Sequence, residues 1–474
     1  MTRVVVVGRD APLWLAVNVL ATALKPSGVT VVAVELPSRL RPQDVHVTQP
    51  ALEALHGLLG LDESLVLKAT GAAFSLGQMF TGFSGNDSNF FHAYGSAGAP
   101  IDGQAFLPFW LKARALGLNA GLQDFSLTAQ AALHGRMLIP DATTEAFART
   151  DYGYHLPAMP YAALLKGRAL RQGIQVHTAN DVGVVRDGET ITAIDADGVR
   201  IPGDLFVDLT AEGVLIGGDI EPWSDLLPCD RVLTASAPRF DTIPAYARVA
   251  AHDHGWVATH PSRAATHLIH AYSSKVLSDE AALQLTARLS GLTLHDATIR
   301  TSNPGRHTPW QGNCVAIGEA ACRFDAIDGV DLHAVQLGLV HLLSLFPVGG
   351  EFNAERSEYN RVMRASFERI RDFQAAHYHL SRLTTVAAIP ALLQAKIDGF
   401  AARGVVPLYD EETFPIDSWH AILLGHGITP VSHDPRIDRV PGDEMKTQFR
   451  AQLAFIREQV EAQVAHDDYL AIFA

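Results

Sequence analysis

Cysteine is scarce: Cys229, Cys314 and Cys322 are the only three in 474 residues. No two of them form a CxxC pair, which excludes a disulfide framework and argues against a thiol-ligated zinc. A reducing compartment is expected. Lysine is scarce too, supplying seven of the 37 cations against thirty arginines, so a missing ammonium is easy to notice. Charged residues make up only 19%, and acids outnumber bases 51 to 37, a formal net charge of −14. Nucleic-acid backbones and anionic lipid surfaces are therefore poor partners. Long hydrophobic runs are missing as well. The apolar start, Met1–Leu24, is interrupted by Arg9 and Asp10 and has no clean small-residue cleavage site, and Leu332–Pro347 carries two histidines and is too short to span a bilayer. A soluble, cytoplasmic protein is expected, with no membrane and no nucleic-acid partner. No GxSxG elbow, HExxH pair, Walker loop or EF-hand loop occurs, so hydrolase and metalloenzyme readings find no support. His377 and His379 stand two apart on a predicted helix and point to different faces, so no metal site is expected.

What is present is a core-forming chain, 48% hydrophobic, long enough for one large unit or two interleaved ones. Arg3–Val7 reads as a buried β-branched strand, Gly8–Pro12 as a turn, and Leu13–Leu24 as a helix with an apolar stripe of Leu13, Ala16, Val17, Leu20 and Leu24. A second strand, Val29–Glu35, ends on an acid. Strand, turn, helix, strand and terminal acid make the first unit of a dinucleotide-binding fold. The glycine fingerprint is mostly lost: Gly8 is kept, but Asp10 and Leu13 stand where the other two glycines belong. Candidate cofactor residues here are Gly8, Ala11, Trp14 and Glu35. Farther on, short strands are expected around Ile174–His177, Gly183–Arg186, Ile191–Asp195 and Arg200–Ile201, then a buried strand in Asp204–Thr210. Arg356–Ser381 and Gly442–Phe473 read as helices, the second with a stripe of Met445, Phe449, Leu453, Ile456 and Val460.

From the middle onward the chain resembles the flavin-dependent tryptophan halogenases. The resemblance rests on GRHTPWQGNCVAIGEAACRFDAIDGVDLHAVQLGLVHLLSLF at Gly305–Phe346 and EYNRVMRASFERIRDFQAAHYHLS at Glu358–Ser381. WSDLLPCDR at Trp223–Arg231, AYSSKVLSDE at Ala271–Glu280, KIDGFAARG at Lys396–Gly404 and SWHAILLGHGITP at Ser418–Pro430 continue it. It implies an α/β fold: a Rossmann-type FAD module, like those of glutathione reductase and the aromatic hydroxylases, with an inserted mixed β-sheet and a C-terminal helical substrate module. The FAD-module-like region would take residues 1–350, with the inserted sheet at about 75–110 and 220–300, and the helical region 351–474.

The resemblance also implies a chemistry. Reduced FAD, supplied by a separate reductase, turns halide into hypohalous acid with oxygen; a lysine holds or forms the halogenating species, and a glutamate assists attack by an aromatic substrate such as tryptophan or another indole. The lysine position falls at Ser75 in ATGAAFSLGQMF, Ala69–Phe80, and a second family lysine at Met79. A serine hydroxyl carries no charge and cannot form a chloramine. The glutamate aligns with Asp328, and the backbone donors for halide fall at Gly329–Val330, with Asp325 and Asp331 adding negative charge nearby. Gly318, in AIGEAA at Ala316–Ala321, could approach the cofactor closely. The family's flavin strap corresponds to PQDVHVTQP, Pro42–Pro50, which contains no glycine. In GWVATHP, Gly255–Pro261, Trp256 is kept and Ala258 replaces the second family tryptophan. His92 and Trp256 are the candidate substrate-side residues.

Two functions follow. One is an FAD-dependent halogenase or monooxygenase acting on a small aromatic molecule, with Asp328 and Ser75 at the reacting centre. The other is a non-catalytic family member serving as a binding module or as the partner subunit of an active relative. A homodimer or such a heteromer is the expected assembly.

Overall fold

The computed structural model describes residues 3–473 apart from 86–87, 142, 144, 146, 348, 350–351 and 382–388. The expected boundary between residues 350 and 351 lies outside the described residues.

Val4–Val7 are wholly buried, as a β-branched run must be when both faces of its sheet are covered. Their strand, Arg3–Gly8, lies inside a sheet of six, with Thr30–Glu35 and Gln175–Thr178 on one side and Leu205–Leu209, Cys314–Ala316 and Trp310–Gln311 on the other. All pairings are parallel except the hairpin of the last two. Register sets Gly8 beside Leu209, and a Cβ on Gly8 would stand 2.7 Å from the Leu209 Cβ. Strand packing alone therefore demands that glycine.

The first helix runs Asp10–Leu24, three residues earlier than its apolar stripe suggested. Pro12 is tolerated in the first turn, where no intrahelical N–H is needed. The expected single apolar face is also too narrow: Ala11, Trp14, Leu15 and Val19 are buried as well. The helix is covered by Ala158–Arg171 and Asp331–Ser344 besides the sheet. Its one buried polar residue is fully satisfied, Asn18 donating to the Trp14 and Leu165 carbonyls and accepting from Arg168.

Val182–Asp187, Thr190–Ala196 and Val199–Pro202 form a three-stranded meander, turning at Gly188 and Gly198 in left-handed conformations. A second large sheet runs in the order His295–Thr301, Arg231–Ala237, Thr266–Tyr272, Gly255–Pro261, Ala247–His252, Gly77–Thr81, Asn89–Ala93. It is antiparallel except where Gly77–Thr81 joins Ala247–His252 in parallel. Within the span expected for this sheet, Phe106–Ala115 is a helix. A small sheet of Val45–Val47, Gly153–Pro157 and Ala73–Ser75 stands apart from both large sheets.

The C-terminal region is helical: Asn353–His379, Ala391–Arg403, Ile416–Gly425, Gly442–Ala462 and His466–Ala471. The final helix expected over Gly442–Phe473 is thus broken. Met137 N–H donates to the Val464 carbonyl and His466 N–H to the Gly135 carbonyl, and these outside partners draw residues 463–465 out of helical geometry. Among the described residues no helix is long and apolar enough to cross a membrane.

Candidate active site

A cavity of about 870 Å³ opens at the carboxyl ends of the parallel strands, where open sheets of this kind bind ligands. Its wall joins the loops after the first two strands (Arg9, Asp10, Arg39, Arg41, Asp44, His46) to the second large sheet (Thr234, Thr298, Arg300) and to Glu319, Arg323 and Asp331. Glu319 and Asp331 are exposed to the cavity while protein encloses them. Burial pushes Glu319 up, against the pull of Arg323, Arg300, Arg39 and Arg9, and pushes Asp331 up to about 7.

Most of the expected cofactor residues stand behind this wall. Ala11 and Trp14 are packed inside the first helix bundle, with the Lys166 ammonium 5.5 Å from the Trp14 ring. Glu35 is held by that ammonium at 2.7 and 2.8 Å. Gly318 has φ +65°, and a Cβ there would lie 2.9 Å from Val335. Gly329 has φ +61° and would place a Cβ 2.6 Å from the Val47 Cβ. Each glycine is thus required by a neighbouring element of the protein.

Whether these residues fit a flavin dinucleotide can be judged from the wall. The volume suits such a ligand, and no side chain caps the helix that begins at Asp10, which leaves the positive end of its dipole available to an anion. Asp10 itself takes φ +59°, so the backbone keeps at this position a conformation that a fingerprint glycine adopts freely. Its carboxylate accepts from the Arg39 backbone N–H at 3.2 Å, and five arginines on the wall offset it and the other acids. The residues fit the group by position, volume and charge.

The segment Phe324–Asp331 has one side on the cavity and one in the protein interior. Phe324, Ala326 and Asp331 face the cavity, whereas Asp325 and Asp328 are each only 2% exposed. Asp328 lies in a 3-10 turn, Ile327–Gly329, with φ +67°. Gln49 Nε2 donates to its backbone carbonyl at 2.5 Å, and Gln374 Nε2 donates to the Ile327 and Asp325 carbonyls at 2.7 and 2.9 Å. The strap region and the long helix thereby pin the turn. Neither carboxylate oxygen of Asp328 accepts a hydrogen bond; His377 Nε2 is 3.4 Å from Oδ2.

Around this carboxylate gather further buried polar groups: His92 and His377, with His92 Nδ1 and His377 Nε2 unpartnered, and Tyr94, whose hydroxyl lies beside the Gln78 side chain. His92 stands opposite Gln78 in register, and its Nε2 meets Ser418 Oγ at 2.9 Å. Burial holds His92 down to about 4, with Asp328 opposing, and burial followed by Asp328 raises Tyr94. His377 Nδ1 continues to His426 Nε2 at 3.1 Å. Burial, then His377, holds His426 well below its ordinary value. The His377 ring stacks on Phe80 at 4.8 Å, and Phe83 and Phe90 meet His426 edge-on. The result is a carboxylate–imidazole–imidazole series inside an aromatic box.

Ser75 is fully buried, and its hydroxyl donates to the Gly77 carbonyl at 3.1 Å. Trp256 is 1% exposed; its Nε1 donates to the Tyr378 hydroxyl at 2.9 Å, which donates to Asp325 Oδ2 at 2.7 Å. Burial raises Asp325 to about 6. The sequence reading did not single out Gln78, Tyr94, His426 or the arginines, and weighed His377 only as half of a metal pair. Phe373 and His377 share a helix face at i, i+4, and Arg9 and Arg39 follow adjacent strands; those spacings were the available signals. Among the described residues no group of three or more His, Cys, Asp or Glu is arranged for a metal ion.

Comparison with known proteins gives the same outline. The tryptophan halogenase family model matches residues 3–442. The tryptophan 6-halogenase ThaL of Streptomyces albogriseolus is 24% identical over 92% of each chain. The match to the tryptophan 6-halogenase SttH of Streptomyces toxytricini is also 24% identical but spans about half of either chain. Among solved structures, BrvH, a flavin-dependent halogenase from Brevundimonas sp. BAL3, superposes with a TM-score of 0.92 at 28% identity, over 100% of this chain and 99% of that one. A flavin-dependent halogenase from Xanthomonas campestris gives 0.93 at 28%, over 100% and 98%. With this coverage and the matching architecture, the chain belongs to the tryptophan halogenase family.

Proposed function

We propose that the chain is a flavin-dependent oxidoreductase of the halogenase type, acting on a small aromatic molecule at Asp328. The observation that carries this is the buried Asp328 carboxylate, which accepts no hydrogen bond and faces a histidine. Leaving a buried polar group unpaired costs about 1–3 kcal/mol, an expense a structural residue has no reason to retain. The six-stranded, mainly parallel sheet serves as the Rossmann-type module. FAD, when bound in the cavity and reduced by a separate reductase, would supply the two electrons that activate oxygen, and the activated oxygen would be the oxidant for halide. Asp328 accepts the proton that an aromatic ring releases on substitution, and His377, 3.4 Å from its Oδ2, stands beside it. Phe80, Phe83 and Phe90 pack around the two imidazoles of His377 and His426. BrvH and the Xanthomonas protein, both flavin-dependent halogenases, support the reading through their full-length similarity.

The test combines purified protein, FAD, a flavin reductase with its nicotinamide donor, halide, and a panel of indoles, pyrroles and phenols. Mass spectrometry would look for a halogen isotope pattern or an added oxygen. Product with the natural chain and none with Asp328→Asn is the expected result.

One observation favours a second reading. The Ser75 hydroxyl is engaged by Gly77, and no lysine is placed to supply the missing ammonium. Lys396 lies buried against Glu412, with Tyr409 and Trp419 each 4.7 Å away. Lys112 and Lys166 pair with Asp438 and Glu35, and the other four are exposed. If the assay yields no product while aromatic ligands still bind, the chain is a binding module or a partner subunit of an active relative.

A further inference from the structure

We infer that Arg9, Arg39 and Arg300 form a guanidinium cradle for phosphate that replaces the lost glycine fingerprint, with Glu212 held in it as an internal stand-in for the anion. The inference rests on reading the large cavity as the flavin site and names what that site recognises.

Three observations lead to it. The first is position. Strand Arg3–Gly8 is where the parallel order reverses, since its successors lie on opposite sides, and ligands bind at such switch points. Arg9 spans this point. Its Nη1 donates to the Thr210 carbonyl at 2.7 Å, beyond one neighbouring strand, and its Nε to the Pro37 carbonyl at 3.2 Å, beyond the other.

The second observation is the shared carboxylate. Glu212 Oε2 accepts from Arg9 at 2.9 Å, while Oε1 pairs with Arg39. One anionic group thus bridges guanidiniums from two loops, the arrangement in which arginine receives phosphate oxygens. Arg39 is 62% exposed and Glu212 37% exposed, so this link contributes little to stability and can be exchanged.

The third is crowding of like charge. Arg39 is held below its ordinary value by burial and then by the nearby Arg9, with Arg300 acting in the same sense. Arg300 reaches the group from the second large sheet, bonding Asp44 at 2.6 Å and the Arg39 carbonyl at 3.3 Å. Guanidiniums gathered from three separate elements repel one another unless an anion lies among them. Arg39 and Arg41 lie within six residues of the end of the second strand, just ahead of the glycine-free stretch Pro42–Pro50. A ligand phosphate entering the cradle displaces Glu212 and takes over both guanidiniums.

The experiment is equilibrium titration of the full chain with riboflavin, FMN, FAD and ADP, following flavin fluorescence or, for ADP, heat. Arg39→Ala, Arg300→Ala and Glu212→Gln are titrated alongside, with circular dichroism as the folding control; Arg39 is exposed enough that its truncation leaves packing intact. FAD should bind about tenfold more tightly than riboflavin, and Arg39→Ala should weaken FAD and ADP about fivefold or more while leaving riboflavin unchanged. Glu212→Gln should tighten FAD by about threefold, because the competing carboxylate is gone. Equal affinity for riboflavin and FAD, or Arg39→Ala binding FAD like the natural chain, overturns the cradle and leaves the flavin reading standing. ADP binding that depends on Arg39, with no binding of any flavin, sinks the flavin reading and keeps the cradle. If no phosphate-bearing ligand binds, the cradle is wrong.

Discussion

Replacing Asp328 by Asn should make the protein more stable and inactive at once. The side chain is 2% exposed, neither oxygen has a hydrogen-bond donor, and His377 Nε2 stands 3.4 Å from Oδ2. Asparagine keeps the shape and removes the charge. It is also one of the few residues at ease in the left-handed conformation that φ +67° imposes, so the backbone suffers no new strain. Removing an uncompensated buried charge, while leaving one amide imperfectly paired, should stabilise the fold by about 1–3 kcal/mol. With an unfolding entropy of about 2.1 cal/mol/K per residue, a chain of 474 residues converts that into a Tm rise of about 1–3 °C. Asp328→Ala also loses the charge but places alanine in the left-handed region at about 1 kcal/mol, so its Tm should move less. Differential scanning calorimetry at pH 8, paired with the turnover assay, measures both sides of the trade. A Tm lowered by 2 °C or more in Asp328→Asn would refute the reasoning: His377 would then be a protonated partner in a structural ion pair, and Asp328 no base.

Acid should unfold the protein early. Burial holds His56, His92, His155 and His420 to about 4 and His270 to about 3, and holds His260 and His426 well below the ordinary value. Below about 6.5 the unfolded chain therefore binds more protons than the folded one, and stability falls with pH. Each such histidine forfeits on the order of 1 kcal/mol by pH 5.5, while Asp151, Asp325 and Asp331, raised to about 6, 6 and 7, return part of the sum. The balance is comparable to a typical net stability, so circular dichroism should find a midpoint near pH 5, and a fold intact at pH 4 would contradict the neutral histidines. Asp10→Gly should leave stability within about 1 kcal/mol and raise FAD affinity, because it removes a carboxylate from the helix N-terminus. Leu13→Gly, which would complete the fingerprint, empties a fully buried site and should cost about 3–6 kcal/mol by chemical denaturation, so the two must be tested apart. Ser75→Lys should be at least about 1 kcal/mol less destabilising with Asp328 present than in the Asp328→Asn background, as a buried ammonium needs a carboxylate; a thermal double-mutant cycle without coupling would mean the two positions do not face each other.

The first parallel unit was legible because β-branched runs and a terminal acid encode it locally, down to Glu35 as the last residue of its strand. The meander was legible for the same reason, its turns being fixed by Gly188 and Gly198. What escaped was set by distant contacts. The break after Ala462 depends on residues 135–137, more than three hundred positions earlier. The helical stripe of Leu13–Leu24 gave no sign that two further helices would bury the remaining faces. Asp328 and Gly318 were named through resemblance to family motifs, and the structure buries Asp328 in a turn and packs Gly318 against Val335. The companions of Asp328 come from four separate stretches, Gln78, His92–Tyr94, His377 and His426, and only folding brings them together. Glu35 shows the reverse case: its place was right, but Lys166, 131 positions away, holds its carboxylate.

The alternation along Phe324–Asp331 gives one segment two different sides. Phe324, Ala326 and Asp331 border the cavity, whereas Asp325 and Asp328 turn into the interior. The two sides differ in kind. The cavity is lined by opposed charges that solvent and ligand can rearrange. The interior side is buried and aromatic, with paired polar groups around an Asp328 carboxylate that accepts no hydrogen bond, and there one charge acts at low effective dielectric and an incoming hydrogen-bond donor gains most. Among the described residues no lysine lies against Asp328, and Ser75, at the family's lysine position, is neutral and bonded to the Gly77 carbonyl. On the proposed reading, the half of the machinery that this chain retains is the proton acceptor Asp328, and what it selects for is an aromatic molecule bearing a hydrogen that Asp328 can accept.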